Sequence, residues 1–344
     1  MDSYKRIQVI SLIGIFLAFV VVGLGAWTRL VDAGLGCPDW PGCYGYVWMP
    51  ETESEIERAN IAYPERQFEV EKAIPEVVHR YFAGTLGLLI FALCFTAIIA
   101  KTKDKWLKNL IYAATVLVCV QSLFGYLTVS LKLWPQVVTL HLLGGFFTTT
   151  LVFLIFLRSS HLRSSFNINF SVLPKTNTLL NWAFPFLLAQ IILGVWLSSN
   201  YAALACPDFP TCHGKWLPPA DYAKGFNFFQ QIGPDYLGGQ MDVESRIAIH
   251  FIHRLGAIAV SIVFLLLSWR FFKENYPLTS LGFASLITFQ IVLGISNIYF
   301  QVPLYVAIAH NLGALFLLMY LSFVRLKSST CLLYTSPSPR DVVP

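Results

Sequence analysis

Eight stretches of about 20 apolar residues, at roughly 7–30, 77–100, 109–131, 137–157, 179–199, 247–269, 279–299 and 304–325, run through this chain. Each is long enough to cross a hydrocarbon core as a helix, so the pattern predicts an all-α integral membrane protein with eight transmembrane helices. Of its 344 residues 56% are hydrophobic and only 12% are charged, which excludes a soluble globular domain. The first run ends in Ala26-Trp-Thr-Arg29 without a small-residue cleavage site, and is read as the first span rather than a signal peptide.

Lys and Arg concentrate on the cytoplasmic side of short loops. With the N-terminus inside, Lys5, Arg6, Lys101, Lys103, Arg158 and Lys273 all fall there, and the acidic loop from Glu51 to Glu71 falls outside. Both termini are then cytoplasmic. The net charge of +5 expresses this bias and calls for no nucleic-acid partner. The lack of an Arg- and Ser-rich transit segment favours a bacterial plasma membrane over an organelle.

Each half reads as helix, long outer loop, helix, short inner loop, helix, short outer loop, helix. Four spans return the chain to its starting side, so two tandem four-helix bundles related by a pseudo-two-fold axis along the membrane normal are expected. The first unit covers 1–157, a cytoplasmic linker 158–178, and the second unit 179–327. The tail at 328–344 is rich in Ser, Thr and Pro and is expected to be disordered or non-native. Cys37-Pro-Asp-Trp-Pro-Gly-Cys43 after the first span matches Cys206-Pro-Asp-Phe-Pro-Thr-Cys212 after the fifth. On the oxidising side of the membrane, local disulfides are the simplest pairing, although four cysteines permit three connectivities. Such a bridge either braces the loop or is redox-active. Cys94 and Cys119 read as small core residues.

Four histidines share this register. Glu76-Val-Val-His79-Arg80 is echoed by His250-Phe-Ile-His253-Arg254, and His141-Leu-Leu-Gly144 by His310-Asn-Leu-Gly313. A ring nitrogen inside a bilayer is costly unless it pairs or ligates. Two histidines per half, near the outer ends of two helices, suit a porphyrin iron held between His79 and His141 and another between His253 and His310. Arg80 and Arg254 would pair with the propionates. The alternative is a set of core histidines bonded across helices. His161 and His213 read as solvated loop residues.

The register breaks at one position, where Glu76 faces His250. A carboxylate one turn before an iron ligand is a candidate proton acceptor; the alternative is that Glu76 caps its helix.

Gly25-Ala-Trp-Thr-Arg29-Leu-Val, the Cys37 to Cys43 segment, Glu76-x-x-His79-Arg80 and the paired His253-Arg254 together resemble haem A synthase, over about residues 7 to 325. The resemblance implies oxidation of the C8 methyl of haem O to a formyl group, through hydroxylated intermediates, for terminal oxidase biogenesis. It implies His79 and His141 as ligands of the substrate haem O with Glu76 catalytic, and His253 and His310 as ligands of a haem b cofactor. Haem O synthase (protohaem farnesyltransferase), an electron donor and membrane lipid are the implied partners. Two histidines leave no open position on iron, so either one ligand moves or the oxidation proceeds without oxygen at iron.

Two other functions fit parts of the pattern. A dihaem b-type electron-transfer cytochrome would share the four ligands. A membrane thiol-disulfide oxidoreductase would use the outer cysteines, against which the spacing is wider than Cys-x-x-Cys.

Overall fold

The computed structural model describes residues 3–163 and 169–330. Its elements run α1 (Ser3–Leu30), α2 (Glu53–Ala62), α3 (Val70–Ile99), α4 (Lys105–Ser130), α5 (Pro135–Leu162), β1 (Phe170–Val172), α6 (Pro174–Ser199), α7 (Tyr222–Gly225), α8 (Val243–Lys273), α9 (Pro277–Tyr299), α10 (Leu304–Lys327) and β2 (Ser328–Thr330). Eight of these helices, α1, α3, α4, α5, α6, α8, α9 and α10, are long and apolar enough to cross a membrane. In lipid a spanning segment must satisfy its own backbone, which is why these runs are helical. Large apolar side chains such as Phe16, Leu88, Phe95 and Val116 face outward, where a soluble protein would carry charge.

Helix ends are set by local chemistry. Pro135, Pro174 and Pro277 open α5, α6 and α9, where a missing N–H costs nothing. Asp104 caps α4 by accepting from Leu107 N at 2.7 Å, and also receives Arg158 of α5 at 2.6 Å. Helix α1 packs on α3 and α5, α4 on α5, α6 on α8, α8 on α9 and α9 on α10. The two halves of the chain meet where α1 lies against α10 and α5 against α6.

Four features differ from the sequence expectation. Helices α3 and α8 begin at Val70 and Val243, so His79 and His253 lie turns inside them rather than opening them. The added turns carry charge, Glu71, Lys72 and Glu76 in α3 and Glu244 and Arg246 in α8, which cuts them off from the apolar runs in hydropathy. The acidic outer loop contains α2, whose Thr52 and Glu55 form a capping box visible in the sequence as Thr-x-x-Glu. His161 lies in the last turn of α5 rather than a loop. Ser328–Thr330 pair in parallel with Phe170–Val172; residues 331–344 of the expected tail, Cys331 included, lie outside the described residues.

Candidate functional site

Disulfides join Cys37 to Cys43 and Cys206 to Cys212. The aspartate of each motif shapes its loop. Asp39 accepts from the Tyr44 and Gly45 amides at 2.6 and 2.7 Å. Asp208 accepts from those of His213 and Gly214 at 2.6 and 3.0 Å. The Thr211 hydroxyl, together with those amides, holds the Asp208 carboxyl down at about 2. In the first loop Tyr44 packs edge-on against Tyr63 and Phe68, with centroids 5.5 and 5.4 Å away, and burial pushes its phenol up to about 12. All four sulfurs belong to buried residues, out of reach of a partner thiol.

Below the first loop lies a cavity of about 1260 Å3. Glu76, His79 and Arg80 of α3 line it, with His141 of α5 and Arg29 of α1. The His79 and His141 rings are 6.4 Å apart and nearly perpendicular, at 85°. Metal–nitrogen bonds of about 2 Å on each side of one ion leave roughly 6 Å between ring centres, so the pair fits a shared iron. Each ring lies against a glycine of the adjacent helix: a Cβ at Gly25 would stand 3.0 Å from His79 Cε1, and one at Gly125 would stand 3.6 Å from His141 Cε1. In the second half Gly194 and Gly294 meet His253 and His310 in the same way, at 3.1 and 3.4 Å. Among the described residues no group of three or more His, Cys, Asp or Glu could form a metal cage.

Glu76 is buried and fully engaged. Its Oε2 accepts from the Cys37 amide at 2.9 Å and its Oε1 from Arg80 at 2.5 Å. The N-cap of α3 is Glu69, so the capping alternative for Glu76 does not hold. At the matching position His250 is also buried, with Nδ1 3.1 Å from the Ala202 carbonyl.

Both arginines that follow a ligand turn toward the loops. Arg80 donates to the carbonyls of Asp39, at 2.8 Å, and of Gly42. Arg254 donates to those of Thr211 at 2.8 Å and Cys206 at 2.9 Å. Each guanidinium thus fastens a disulfide loop to a histidine-bearing helix, and Arg254 Nε is a buried donor without a hydrogen-bond partner among the described residues.

The remaining residues singled out in the sequence sit apart from the ligands. His161 and His213 are exposed, with His213 Nε2 2.9 Å from the Ala205 carbonyl. Cys119 is exposed and lines the cavity instead of joining the core.

The sequence reading assigned no role to Arg29. It ends α1, donates to the Ser198 carbonyl of α6, and stacks with its guanidinium carbon 3.6 Å from the Tyr201 ring centre. Its place in the Gly25-Ala-Trp-Thr-Arg29 motif was the available signal.

Residues 8–322 match the family model described as cytochrome oxidase assembly protein. Over 321 residues the chain is 41% identical to the haem A synthase of Shewanella oneidensis, covering 91% of this chain and 94% of that protein. The chain belongs to the haem A synthase family. More distant members include those of Neorickettsia sennetsu, 26% identical with 91% of this chain and 97% of that protein covered, and Pelagibacter ubique, 27% identical with 95% and 98% covered. Membership in the haem A synthase family accounts for a multi-pass membrane chain that gathers imidazoles between its helices.

Proposed function

We propose that this chain oxidises the C8 methyl of haem O to the formyl group of haem A. The observation that carries the reading is one cavity holding two imidazoles at the spacing of a shared iron, with a buried carboxylate one turn from His79. His79 and His141 hold the substrate haem O, and Glu76 accepts protons as the methyl is oxidised through hydroxylated intermediates. Two donors orient the Glu76 carboxylate, and the apolar walls around it strengthen its interactions and keep bulk water away. His253 and His310 hold a haem b, which supplies one-electron chemistry when bound. Val195 and Ser199 of α6 reach the wall of the first cavity and bring the two halves together there.

The two units, 1–157 and 179–327, act as a substrate half and a cofactor half, with both termini cytoplasmic and both haem sites toward the outer side of a bacterial plasma membrane. A protohaem farnesyltransferase has to supply the substrate, and the four electrons that leave the methyl group go either to dioxygen, with an electron donor completing its reduction, or to an electron acceptor. Buried disulfide sulfurs favour loop bracing over thiol exchange. The test is Glu76→Gln, with extracted haems separated by chromatography. Haem O should accumulate; haem A at the normal rate overturns the assignment, and unmodified haem b in both halves of the wild-type protein favours the electron-transfer cytochrome.

A further inference from the structure

The cavity around His79 and His141 runs well beyond them. On α3 its wall continues to Phe91, twelve residues past His79 and so about 18 Å further along the helix. On α4 it reaches Cys119, six residues and about 9 Å from the Gly125 that backs the His141 ring. Both directions lead away from the disulfide loops, into the depth of the membrane. A flat macrocycle centred between the two imidazoles ends short of that depth, so the lower part of the cavity suits something long and thin.

This lower part opens sideways. Gly84 and Phe91 of α3 and Cys119 and Ser122 of α4 line the cavity and are also exposed, at a depth where the surroundings are lipid. Small residues keep the gap open: a Cβ at Gly84 would meet nothing within 4 Å, and one at Gly87 would stand 3.8 Å from Val118. The second half fills the same place. In the register that matches His79 with His253 and Gly125 with Gly294, residues Gly84, Gly87, Val118 and Ser122 correspond to Ile258, Ser261, Ile287 and Ile291, each larger than its counterpart. Ile287 belongs to the buried core there, and α9 packs on α8 more closely than α4 on α3. Deeper in the first cavity the Thr148 and Thr149 hydroxyls donate to the Gly144 and Gly145 carbonyls of their own helix, so neither calls for a polar ligand.

We propose that the lower cavity is a subsite for the isoprenoid tail of haem O, entered sideways from the lipid between α3 and α4. This rests on His79 and His141 holding that haem. Two histidines cannot tell haem O from haem b, because both present the same iron. The tail that a farnesyltransferase adds is the difference, and an apolar channel reads it by removing its surface from water and lipid headgroups. In the second half Ile258 and Ile291 stand where the tail would pass, which suits a haem without one. The gap between α3 and α4 therefore assigns substrate to one half and cofactor to the other.

The test uses Cys119 as a reporter, in full-length protein carrying Cys94→Ser and Cys331→Ser, the remaining cysteines being paired in disulfides. Haem O should shield Cys119 from N-ethylmaleimide, whereas haem b bound at the same two histidines should leave it reactive. Rebuilding the second-half wall with Gly84→Ile and Ser122→Ile should weaken haem O in the first half at least about 10-fold in an optical titration, and leave haem b unchanged. Equal shielding by the two haems, or a variant that keeps its preference for haem O, overturns the subsite. If neither haem enters the first half, the functional reading fails instead. Farnesol, which carries the tail without the macrocycle, then decides the subsite by shielding Cys119 or failing to. Tetradecanol shielding as well as farnesol marks a general lipid groove and overturns the proposal. Should the double isoleucine variant lose its second-half haem spectrum, and so its fold, the Cys119 comparison decides alone.

Discussion

The main-chain amide of Cys37 donates to the buried carboxylate of Glu76 across 2.9 Å, joining the first disulfide loop to the helix that carries His79. A loop cysteine therefore sets the orientation of the proposed proton acceptor. The contact depends on Gly36, where a Cβ would collide with the Lys72 carbonyl of α3. Only glycine lets the loop come down far enough.

Replacing Glu76 by Gln should lower haem A formation by at least about 100-fold, the usual scale of a lost general base. The amide also turns an N–H toward Arg80 or Cys37, which are donors themselves. Chromatography of extracted haems, alongside the optical spectrum of the second-half haem as a folding control, checks this outcome.

Gly36→Ala should impair the same reaction without touching any ligand, because it lifts the loop from α3 and withdraws the Cys37 amide. The expected pattern is a fall in haem A yield with haem uptake retained. A normal yield would show that the Cys37 contact does not matter to turnover.

Opening the first disulfide with Cys37→Ser and Cys43→Ser should reduce activity more than opening the second with Cys206→Ser and Cys212→Ser. Among the described residues the first loop meets a carboxylate at the level of His79, whereas its counterpart in the second half is His250, bonded to Ala202. Comparison of haem A yields from the two double variants at equal haem content tests this.

Arg29→Ala should lower the thermal midpoint in detergent, since it frees the Ser198 carbonyl and the Tyr201 face that α1 holds from the other half. The Ser198 carbonyl keeps its bond from the Tyr201 amide, so the polar part of the loss is one charged hydrogen bond, about 1.5–3 kcal/mol. Arg29→Lys should recover little of this, because an ammonium lacks the flat guanidinium that stacks on the ring.

Order in the second disulfide loop should depend on acid in a defined window. An aspartate in an unfolded chain titrates near about 3.9, whereas Asp208 in the folded loop is held at about 2. A depressed carboxyl contributes its stability above the unfolded value and loses it as pH falls through the folded one. The loop should thus hold at pH 4 and loosen toward pH 2, and Asp208→Asn should abolish that dependence. Protease sensitivity of the loop across this range measures it.

The sequence by itself determined the elements. Lipid demands about 20 apolar residues per helical span, so the spans declare themselves in hydropathy, and the doubled cysteine motif places two loops at matching points of the chain. The same register set His79, His141, His253 and His310 apart before any coordinates. Polar partners of those residues were not legible, because a hydrogen bond between helices depends on rotation and depth that hydropathy does not encode. The sequence points Arg80 and Arg254 toward propionates but not toward the loop carbonyls of Asp39 and Thr211, to which tertiary folding also brings them. Gln121, Gln190 and Gln290 stood unremarked in apolar runs until packing laid each against a histidine helix. Glu76 acquires its partners only when Gly36 allows the loop to descend, a contact between residues 39 positions apart that close approach of two backbones decides.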